Sequence, residues 1–406
     1  MPAVGFAALD FAAFHQRDLP RRIAAGHGAL AAPAAERLGS LAFRLPDGAA
    51  WTYRPTANGV ALEAGDGADT VIALDHDAWE GLAHDYESAP GLLYAGRVRC
   101  LRGDAMQFVG WEPALRALYH GRPCHDPRAP LVDGAGRPLD PDRRFAACDD
   151  LAEMAEFLRT AGFVVVRGLF GADEIARFVA EARELAAEAR KGDKLSWWAK
   201  TARGEEVLCR VTRAIEKPHL ATLFGDERLA RIVRAAEPSL EPRVGEGSGV
   251  AVIYKNPGVA EGLSDLPWHR DCGMGGHAIL CPVVICSVYL TRADRETGEL
   301  AFLPGSHRTS LGYLDARSAP PGAVRCEAAP GDVTIHYGDV MHAAPPPSRD
   351  DLPAYRISAI TGWTRPGARP HTGAGSYNDV LHQRADGQVE HLSRVAERSG
   401  AHDPKP

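Results

Sequence analysis

Residues 266–271 read Leu-Pro-Trp-His-Arg-Asp, and they contain a possible metal-binding pattern. Successive side chains alternate between the two faces of a β-strand, so His269 and Asp271 would point to one place while Arg270 faces away. Two histidines and one carboxylate form the facial triad that binds non-haem Fe(II) and leaves coordination positions open. The pair is a weak motif by itself, because His-x-Asp also occurs by chance.

The third ligand should be a histidine on a distant strand. Residues 331–342, GDVTIHYGDVMH, contain two histidines. His342 follows a turn and precedes a proline-rich loop, and we favour it as the ligand. His336 would lie in the middle of a strand, where a histidine is more often a core or surface residue, and it is the alternative.

An Fe(II) oxygenase that takes electrons from a 2-oxoacid needs a fixed cation for the far carboxylate of that co-substrate. Arginine suits this role better than lysine, because its planar guanidinium binds a carboxylate through two hydrogen bonds. Arg356 stands fourteen residues after His342 at the start of an apolar strand, and Ser358 would share its face. Arg349 is the alternative anchor, although it lies in a loop of proline and aspartate.

The sequence around these motifs predicts a β-rich domain preceded by helices. Residues 249–363 form short runs rich in Val, Ile, Thr and Tyr that are broken by Gly and Pro, which is typical of a sandwich or barrel. Upstream, apolar periodicity predicts helices at 151–161, 173–190 and 226–236 and a strand at 162–166. The predicted domain spans residues 148–365.

Residues 1–120 predict a smaller α+β domain of their own. Turn residues separate strands expected at 42–45, 50–54, 59–64, 70–74 and 96–101, with helices at 77–86 (capped by Asp75) and 111–119. Residues 121–147 contain five prolines and no periodicity, which indicates a linker. Residues 366–406 are polar, and we expect a tail of loop with a frayed end.

Composition excludes several classes of protein. The 406 residues include 46 Lys and Arg against 53 Asp and Glu, a net charge of −7, which argues against general nucleic-acid binding. The longest apolar runs are too short for a membrane span. The beginning of the sequence shows no signal-peptide pattern, and eight cysteines without a Cys-x-x-Cys pair are expected to be reduced, so we predict a cytoplasmic protein.

Residues 149–363 resemble the phytanoyl-CoA dioxygenase family of Fe(II)/2-oxoglutarate oxygenases. The resemblance lies in FLRTAGFVVVRGLFGADEIARFVAEARELA, LPWHRD, TGELAFLPGSHR, GDVTIHYGDVMHAAPPPS and YRIS, in that order. It implies a double-stranded β-helix (jelly roll) core with flanking helices, with His269, Asp271 and His342 as iron ligands. It also implies Arg356 as the 2-oxoglutarate anchor, assisted by Ser358, although the gap from His342 to Arg356 is slightly longer than the usual family spacing.

Residues 10–120 are similar to a sterol-carrier-protein-2 (SCP2) type domain. The similarity is carried by the strand run from WTYRP, the step ADTVIALDHDAWEGL and the later strand pair around GRVRCLRGD. Such domains form an apolar tunnel, so the resemblance implies a lipid or acyl ligand. A purely structural or dimerisation domain is the alternative.

Together these features predict a dioxygenase that couples decarboxylation of 2-oxoglutarate to hydroxylation, or a related C–H oxidation, of a small hydrophobic or acyl-bearing metabolite, as in secondary metabolism. Fe(II), 2-oxoglutarate and O2 would be required, with ascorbate as reductant in vitro. The presence of Asp271 argues against a halogenase, in which a small residue replaces the carboxylate. The alternatives are a lipid carrier with a non-catalytic jelly roll and a cupin-like metalloenzyme that uses no 2-oxoacid. Further contacts are expected from Lys255 to the co-substrate and, for the substrate, from Trp268, Tyr254, Arg308 and Trp198.

Overall fold

The computed structural model describes residues 7–85, 87–193, 195–243, 249–261, 264–266, 268–271, 283–312, 314, 319–366 and 392–401. The strands in these ranges form a five-stranded sheet, a ten-stranded sheet and a three-stranded sheet. The prediction of a mixed α and β fold is therefore confirmed. Among the described helices, none combines the length and apolar character that crossing a bilayer requires.

The five-stranded sheet belongs to the N-terminal part of the chain, where every predicted strand is present to within two residues. Its strands are β1 (Leu41–Arg44), β2 (Ala50–Thr56), β3 (Gly59–Ala64), β4 (Thr70–Leu74) and β5 (Val98–Arg102), in the order β3-β2-β1-β4-β5. Strands β1 and β4 are parallel, and the other neighbours are antiparallel.

Helices surround this sheet. They are α1 (Phe11–Ala13), α2 (Leu19–Arg22) and α3 (Gly28–Ala35), joined by π-helical turns, then α4 (His76–Ala83), α5 (Ala89–Tyr94) and α6 (Ala105–His120). The Asp75 carboxylate accepts a hydrogen bond from the amide of Ala78 and caps α4, as predicted. Helix α6 begins six residues earlier than the predicted 111–119 helix, because Asp104 caps it by accepting from the amide of Met106.

The C-terminal end of the chain differs from the frayed tail that we expected. Helix α10 (Leu392–Ala401) packs on the N-terminal core, where Leu392 and Ala396 are buried against α5, α6 and β5. Few apolar residues at helical spacing lie in this polar stretch, so the local signal for a packed helix is weak.

The larger sheets lie in the second half of the chain. The strands are β6 (Phe145–Ala146), β7 (Phe163–Arg167), β8 (Ser196–Thr201), β9 (Glu206–Val211), β10 (Glu241–Pro242), β11 (Ala251–Tyr254), β12 (Val259–Glu261), β13 (Val283–Tyr289), β14 (Leu300–Phe302), β15 (Val324–Cys326), β16 (Val333–Tyr337), β17 (His342–Ala343) and β18 (Ile357–Thr364). The major sheet has the order β12-β8-β9-β11-β18-β13-β16-β7-β6, with β10 paired to β18, and the minor sheet has the order β15-β14-β17.

One face of the major sheet packs on helices, and the other carries polar side chains. Val284, Cys286 and Val288 of β13 belong to the core shared with α7 (Leu151–Ala161), α8 (Ala172–Glu188) and α9 (Glu227–Ala236). The intervening residues of β13 point to the opposite face. We call this opposite face the inner face, because His336 of β16 lies on it, paired with Ile285.

The predicted linker lies against the second half of the chain. Cys124 forms a β-bridge with Ser310, and Phe145 pairs with Val166 in parallel. Arg122 also donates a hydrogen bond to the carbonyl of His307. These contacts hold the connection against the second half of the chain, and its last residues extend the edge of the major sheet through β6.

Candidate metal centre

Backbone pairing brings the His-x-Asp pair and His342 together. The amide of His269 donates to the carbonyl of His342 (2.8 Å), and the amide of His342 donates back (3.0 Å). The amide of Asp271 donates to the carbonyl of Gly338, at the end of β16 (2.8 Å). The two segments are thus joined as neighbouring strands, which places side chains far apart in sequence at one position.

The three side chains form a compact group of metal-ligating atoms. One ligand atom from each of His269, Asp271 and His342 lies within 4.8 Å of the other two. Oδ1 of Asp271 is 3.5 Å from Nε2 of His269 and 3.7 Å from Nε2 of His342. Two imidazoles and one carboxylate are the donor set of the non-haem Fe(II) triad, so these residues fit such an ion.

The His342 ring is oriented for metal binding. Its Nδ1 donates to the carbonyl of Val340 (2.9 Å), which leaves the lone pair of Nε2 facing His269 and Asp271. Burial, together with the neighbouring His269, lowers the pKa of His342 to about 3. The ring is therefore neutral near pH 7, which is the form that binds a metal.

His336 joins the same group, although we expected it to be an ordinary core or surface histidine. Its Nε2 is 3.5 Å from Oδ2 of Asp271, and its ring centroid is 4.6 Å from that of His342. Within the described ranges neither of its ring nitrogens has a hydrogen-bond partner. The two oxygens of Asp271 thus face different histidines, Oδ1 the triad and Oδ2 His336.

Electrostatics keep the Asp271 carboxylate ionised. Burial alone would raise the pKa of Asp271, but the neighbouring imidazoles of His342, His269 and His336 outweigh it and hold that pKa well below the usual range. The side chain is still 34% exposed, which leaves an open side to the group.

Replacing His336 with phenylalanine is expected to weaken Fe(II) binding by about tenfold to a hundredfold, the usual effect of losing a partner that orients a ligand. Phenylalanine fills the buried space but removes the ring nitrogen that faces Oδ2 of Asp271 at 3.5 Å. Anaerobic calorimetry would measure the affinity. His336→Gln, which retains an N–H donor, should recover most of it, and unchanged affinity in the phenylalanine variant would contradict this role for His336.

Arg270 points away from the metal group, as the alternation predicts. Its Nη2 donates to the carbonyls of Ser306 (2.9 Å) and Thr309 (2.7 Å), and burial followed by the charge of Arg116 lowers its pKa to about 9. Arg116 itself bonds Asp85 (2.6 Å) on the N-terminal side. The back of the metal group therefore borders a buried cluster of charges that includes Arg116 of α6 and Asp85, which follows α4.

Arg356 is buried on the inner face. Only 3% of the residue is exposed, burial lowers its pKa, and its Nε has no hydrogen-bond acceptor in the part of the chain that the structure describes. The charge of Asp265 acts on Arg356, but that carboxylate already pairs with Lys255. A buried charge that is incompletely paired is costly, which indicates a site for an anionic ligand. Ser358 shares the inner face and pairs with Tyr289, as expected from its position two residues later.

Two further polar residues of the inner face, Tyr289 and Thr334, were not predicted. The hydroxyl of Tyr289 lies 3.3 Å from Oγ1 of Thr334, and both side chains are buried on the inner face. The alternating polar residues of VVICSVY in β13 were the available signal, because polar residues at every second position of a buried strand mark one face. Arg349, the alternative anchor, is half-exposed and pairs with Asp351 at 2.8 Å.

The amine of Lys255 is used by contacts within the protein and is not free to bind a co-substrate. Its Nζ donates to the carbonyls of Ser264 and Ala344 (both 2.7 Å) and to Oδ1 of Asp265 (2.5 Å). These contacts use its three N–H groups, so the predicted contact with 2-oxoglutarate is not supported. Burial lowers the pKa of Lys255 to about 8, against the opposing charge of Asp265.

We expect Lys255→Met to destabilise the protein by about 3 kcal/mol, because it leaves buried acceptors and Asp265 without their cation. The free energy of unfolding from urea denaturation would measure the loss. Lys191→Met is the matched control, since Lys191 pairs with Glu206 near the surface, where such pairs contribute less than about 1 kcal/mol. Equal losses in both variants would contradict the structural role of Lys255.

The four predicted substrate contacts lie largely outside the inner face. The Tyr254 hydroxyl donates to the carbonyl of Ala182 on the helix side (2.5 Å), and Arg308 is exposed. Trp198 packs against the helix-side core, because adjacent residues of a strand face opposite sides and its neighbour Trp197 lies on the inner face. Trp268 is buried in a small cluster beside the minor sheet, with Ala301, Leu303, Met341 and Ala343.

The N-terminal part contains a cavity of about 490 Å3. Polar and basic side chains form much of its lining, which consists of Leu9, Arg22, His27, Ala83, His84, Tyr119 and His120. The SCP2-like character of residues 1–120 stays a prediction.

Residues 158–350 match the family model described as phytanoyl-CoA dioxygenase (PhyH). The match covers a little under half of the chain and includes His269, Asp271 and His342 but not Arg356. No curated protein matches the chain.

Several solved structures are similar to parts of the chain. EvdMO1 is 26% identical (TM-score 0.43) over 53% of this chain and 50% of its own, so the match spans about half the length of EvdMO1. AviO1 from Streptomyces viridochromogenes Tue57 is 24% identical (TM-score 0.42), covering 55% of this chain and 97% of its own. SnoN is described as a non-heme alpha ketoglutarate dependent epimerase from nogalamycin biosynthesis. It is 23% identical (TM-score 0.42), and the match covers 53% of this chain and 80% of SnoN.

Proposed function

We propose that the chain is a non-haem Fe(II)- and 2-oxoglutarate-dependent dioxygenase that oxidises a C–H bond of a small, hydrophobic or acyl-bearing metabolite. The observation that carries the proposal is the convergence of His269, Asp271 and His342 on the same inner face as the buried guanidinium of Arg356, whose Nε has no partner in the described chain. The PhyH family match over residues 158–350 supports the same activity.

Each part of the site has a role in this reaction. His269, Asp271 and His342 would hold Fe(II), and His336 would fix the second oxygen of Asp271. When bound, Fe(II) supplies oxygen activation, with electrons from the oxidative decarboxylation of 2-oxoglutarate to succinate. Arg356 would bind the far carboxylate of 2-oxoglutarate.

Ser358 and Tyr289 complete the binding surface for 2-oxoglutarate. Ser358 lies directly opposite Tyr289 in the pairing of β13 with β18, so their side chains share the inner face with Arg356. Two hydroxyl donors beside a guanidinium suit a carboxylate, because charge-assisted hydrogen bonds are stronger than neutral ones. Both hydroxyl groups would orient the co-substrate and exclude water from its carboxylate end.

The scaffold of this site would be the double-stranded β-helix that the sequence resemblance implies. The major sheet supplies Arg356 and His336, and the bridge between His269 and His342 joins the first metal segment to the minor sheet. Placing ligands on two paired sheets holds them more rigidly than loops could. We propose residues 148–365 as this domain, with residues 1–120 as a separate SCP2-like domain and 121–147 as the connection.

The experiment that tests the function is succinate formation from 2-oxoglutarate, with Fe(II), ascorbate and O2 supplied and a panel of acyl and aromatic metabolites as substrates. We expect succinate to require Fe(II) and to increase with an accepted substrate. An anaerobic spectrum of the Fe(II) protein should also gain a metal-to-ligand charge-transfer band when 2-oxoglutarate is added. A protein that binds Fe(II) but shows neither band nor succinate would instead support a metalloenzyme without a 2-oxoacid.

The lipid-carrier alternative makes a different prediction in the same assay. A carrier with a non-catalytic jelly roll would form no succinate under any condition. The complete metal group and the buried guanidinium of Arg356 argue against it, because a scaffold without catalysis has no need for a costly buried charge.

A further inference from the structure

Trp197 and Arg210 lie on the inner face, at the side of the major sheet away from β16. They pair across β8 and β9, and Arg210 also pairs with Ile253 of β11. Ile253 in turn pairs with Ser358, which pairs with Tyr289. Directly paired residues share a face of a sheet, so this row runs from the proposed 2-oxoglutarate site to Arg210.

These two side chains present donors without acceptors. The guanidinium carbon of Arg210 lies 4.3 Å from the ring centroid of Trp197, a cation–π contact. Nε of Arg210 and Nε1 of Trp197 are both buried, and neither has a hydrogen-bond partner among the residues that the structure describes. Leaving such groups unpaired costs free energy, so their retention points to a ligand that satisfies them.

A second arginine adds positive charge on the same face. The amide of Arg243 donates to the carbonyl of Gly362 (2.7 Å), and a Cβ atom on Gly362 would lie 3.5 Å from Cδ of Arg243. Gly362 pairs with Ile285, which pairs with His336, so Arg243 reaches the row that holds the metal group. Because residue 362 is glycine, the aliphatic part of the Arg243 side chain can pack directly beside it.

Positive charge exceeds negative charge around Arg210. Burial, and then repulsion from Arg243, lowers the pKa of Arg210 to about 10, and the opposing attraction comes from Asp271. Asp271 is a proposed metal ligand, so the bound metal ion would neutralise its charge. Two guanidinium groups therefore remain on this side with no anion of their own in the described chain.

We propose that Arg210, stacked on Trp197 and assisted by Arg243, binds an anionic group of the substrate, a carboxylate or a phosphate. This inference rests on the proposed function, because it treats the inner face as the substrate site. It narrows the substrate class to a metabolite with an acidic group beside an apolar or acyl portion. A guanidinium and an indole N–H together offer several donors in a fixed arrangement, which suits either oxyanion.

Arg210 and Arg356 lie on strands that are not direct neighbours. Strand β11 separates β9 from β18, which places the axes of these two strands about 10 Å apart. In this proposal the two arginines bind two different anions, 2-oxoglutarate at Arg356 and the substrate at Arg210.

The test compares matched probes: hexanoate, hexyl phosphate and the neutral hexanamide. Calorimetry on the full-length protein, first without metal and then with Fe(II) and 2-oxoglutarate under anaerobic conditions, would give each affinity. We expect at least one anionic probe to bind about tenfold more tightly than the amide. Arg210→Gln should abolish this preference, and Arg210→Lys should retain part of it. Arg203→Gln, in the exposed turn of the same hairpin, is the control that should leave it unchanged.

Two results would overturn the assignment. One is a wild-type protein with no preference for either anion over the amide. The other is an Arg210→Gln variant that weakens 2-oxoglutarate binding, followed by the charge-transfer band, as strongly as Arg356→Gln does, because Arg210 would then belong to the co-substrate.

Two other variants test the same proposal if the Arg210→Gln protein does not fold. Trp197→Phe removes the indole donor, and Arg243→Gln removes the exposed second cation, so each should reduce the preference several-fold. An unchanged preference in both would also overturn the assignment. An anion preference that depends on Arg210 in metal-free protein, without any succinate formation, would refute the dioxygenase proposal alone.

Discussion

Replacing His269 with alanine is expected to abolish succinate formation that depends on Fe(II), a loss of more than about a hundredfold. This exceeds the loss expected for an outer partner such as His336, because His269 is itself one of the three ligand side chains. The pairing of His269 with His342 uses only backbone atoms, so the alanine variant keeps both hydrogen bonds that join the strands. Activity should therefore disappear without loss of the fold.

Two measurements distinguish this outcome from unfolding. Anaerobic calorimetry should show weaker Fe(II) binding, while the urea midpoint should stay close to that of the wild type. His219→Ala is the control, since His219 is exposed and remote from the metal segments in sequence. Full activity in the His269 variant would show that the ligand assignment is wrong.

The alternation of side chains between the two faces of a strand explains which parts of the site could be predicted from the sequence. Alternation placed His269 and Asp271 on one side and Arg270 on the other, and the structure shows this arrangement. The same rule could have separated Tyr254 from Lys255, because adjacent residues of one strand cannot both face the site. The structure turns Tyr254 toward α8 and leaves Lys255 on the inner side, where nearby loops use its donors.

Contacts between distant segments explain most of what the sequence analysis missed. His336 and His342 appeared as alternatives, yet both approach Asp271, because the distance between facing sheets cannot be read from spacing within one strand. Alternation along β8 allows only one of Trp197 and Trp198 to face the inner side, and the pairing of Trp197 with Arg210 on a separate strand shows which one does. Helix α10 was missed for a similar reason, since its apolar side is completed only by the N-terminal core.

Helix boundaries were predicted best where the capping residues and the spacing of the apolar residues indicated the same ends. Helix α7 spans Leu151–Ala161 as expected, with Asp150 accepting from the amide of Glu153 at its start and Gly162 in the left-handed region at its end. Gly162 also lies where a Cβ atom would come within 2.6 Å of Nδ1 of His307, so glycine serves both the helix end and the packing against the minor sheet.

Arg356→Gln is expected to raise the 2-oxoglutarate concentration required for half-maximal activity by about a hundredfold. Truncating one partner of a buried, hydrogen-bonded charge pair costs about 2–5 kcal/mol, and each 1.4 kcal/mol is about tenfold in affinity. Fe(II) binding should change little, because the guanidinium contacts the co-substrate rather than the metal group. Arg356→Lys should recover part of the affinity through its charge, but not the two parallel hydrogen bonds of arginine.

An anaerobic titration of the charge-transfer band would separate 2-oxoglutarate binding from catalysis in this variant. Arg349→Gln is the matched control, because it removes the same group from a half-exposed arginine that already pairs with Asp351. A weaker affinity in the Arg349 variant with a normal affinity in the Arg356 variant would transfer the anchor role to the loop. That result would also leave the buried charge of Arg356 without a ligand, so it would remove the main reason for placing 2-oxoglutarate on the inner face.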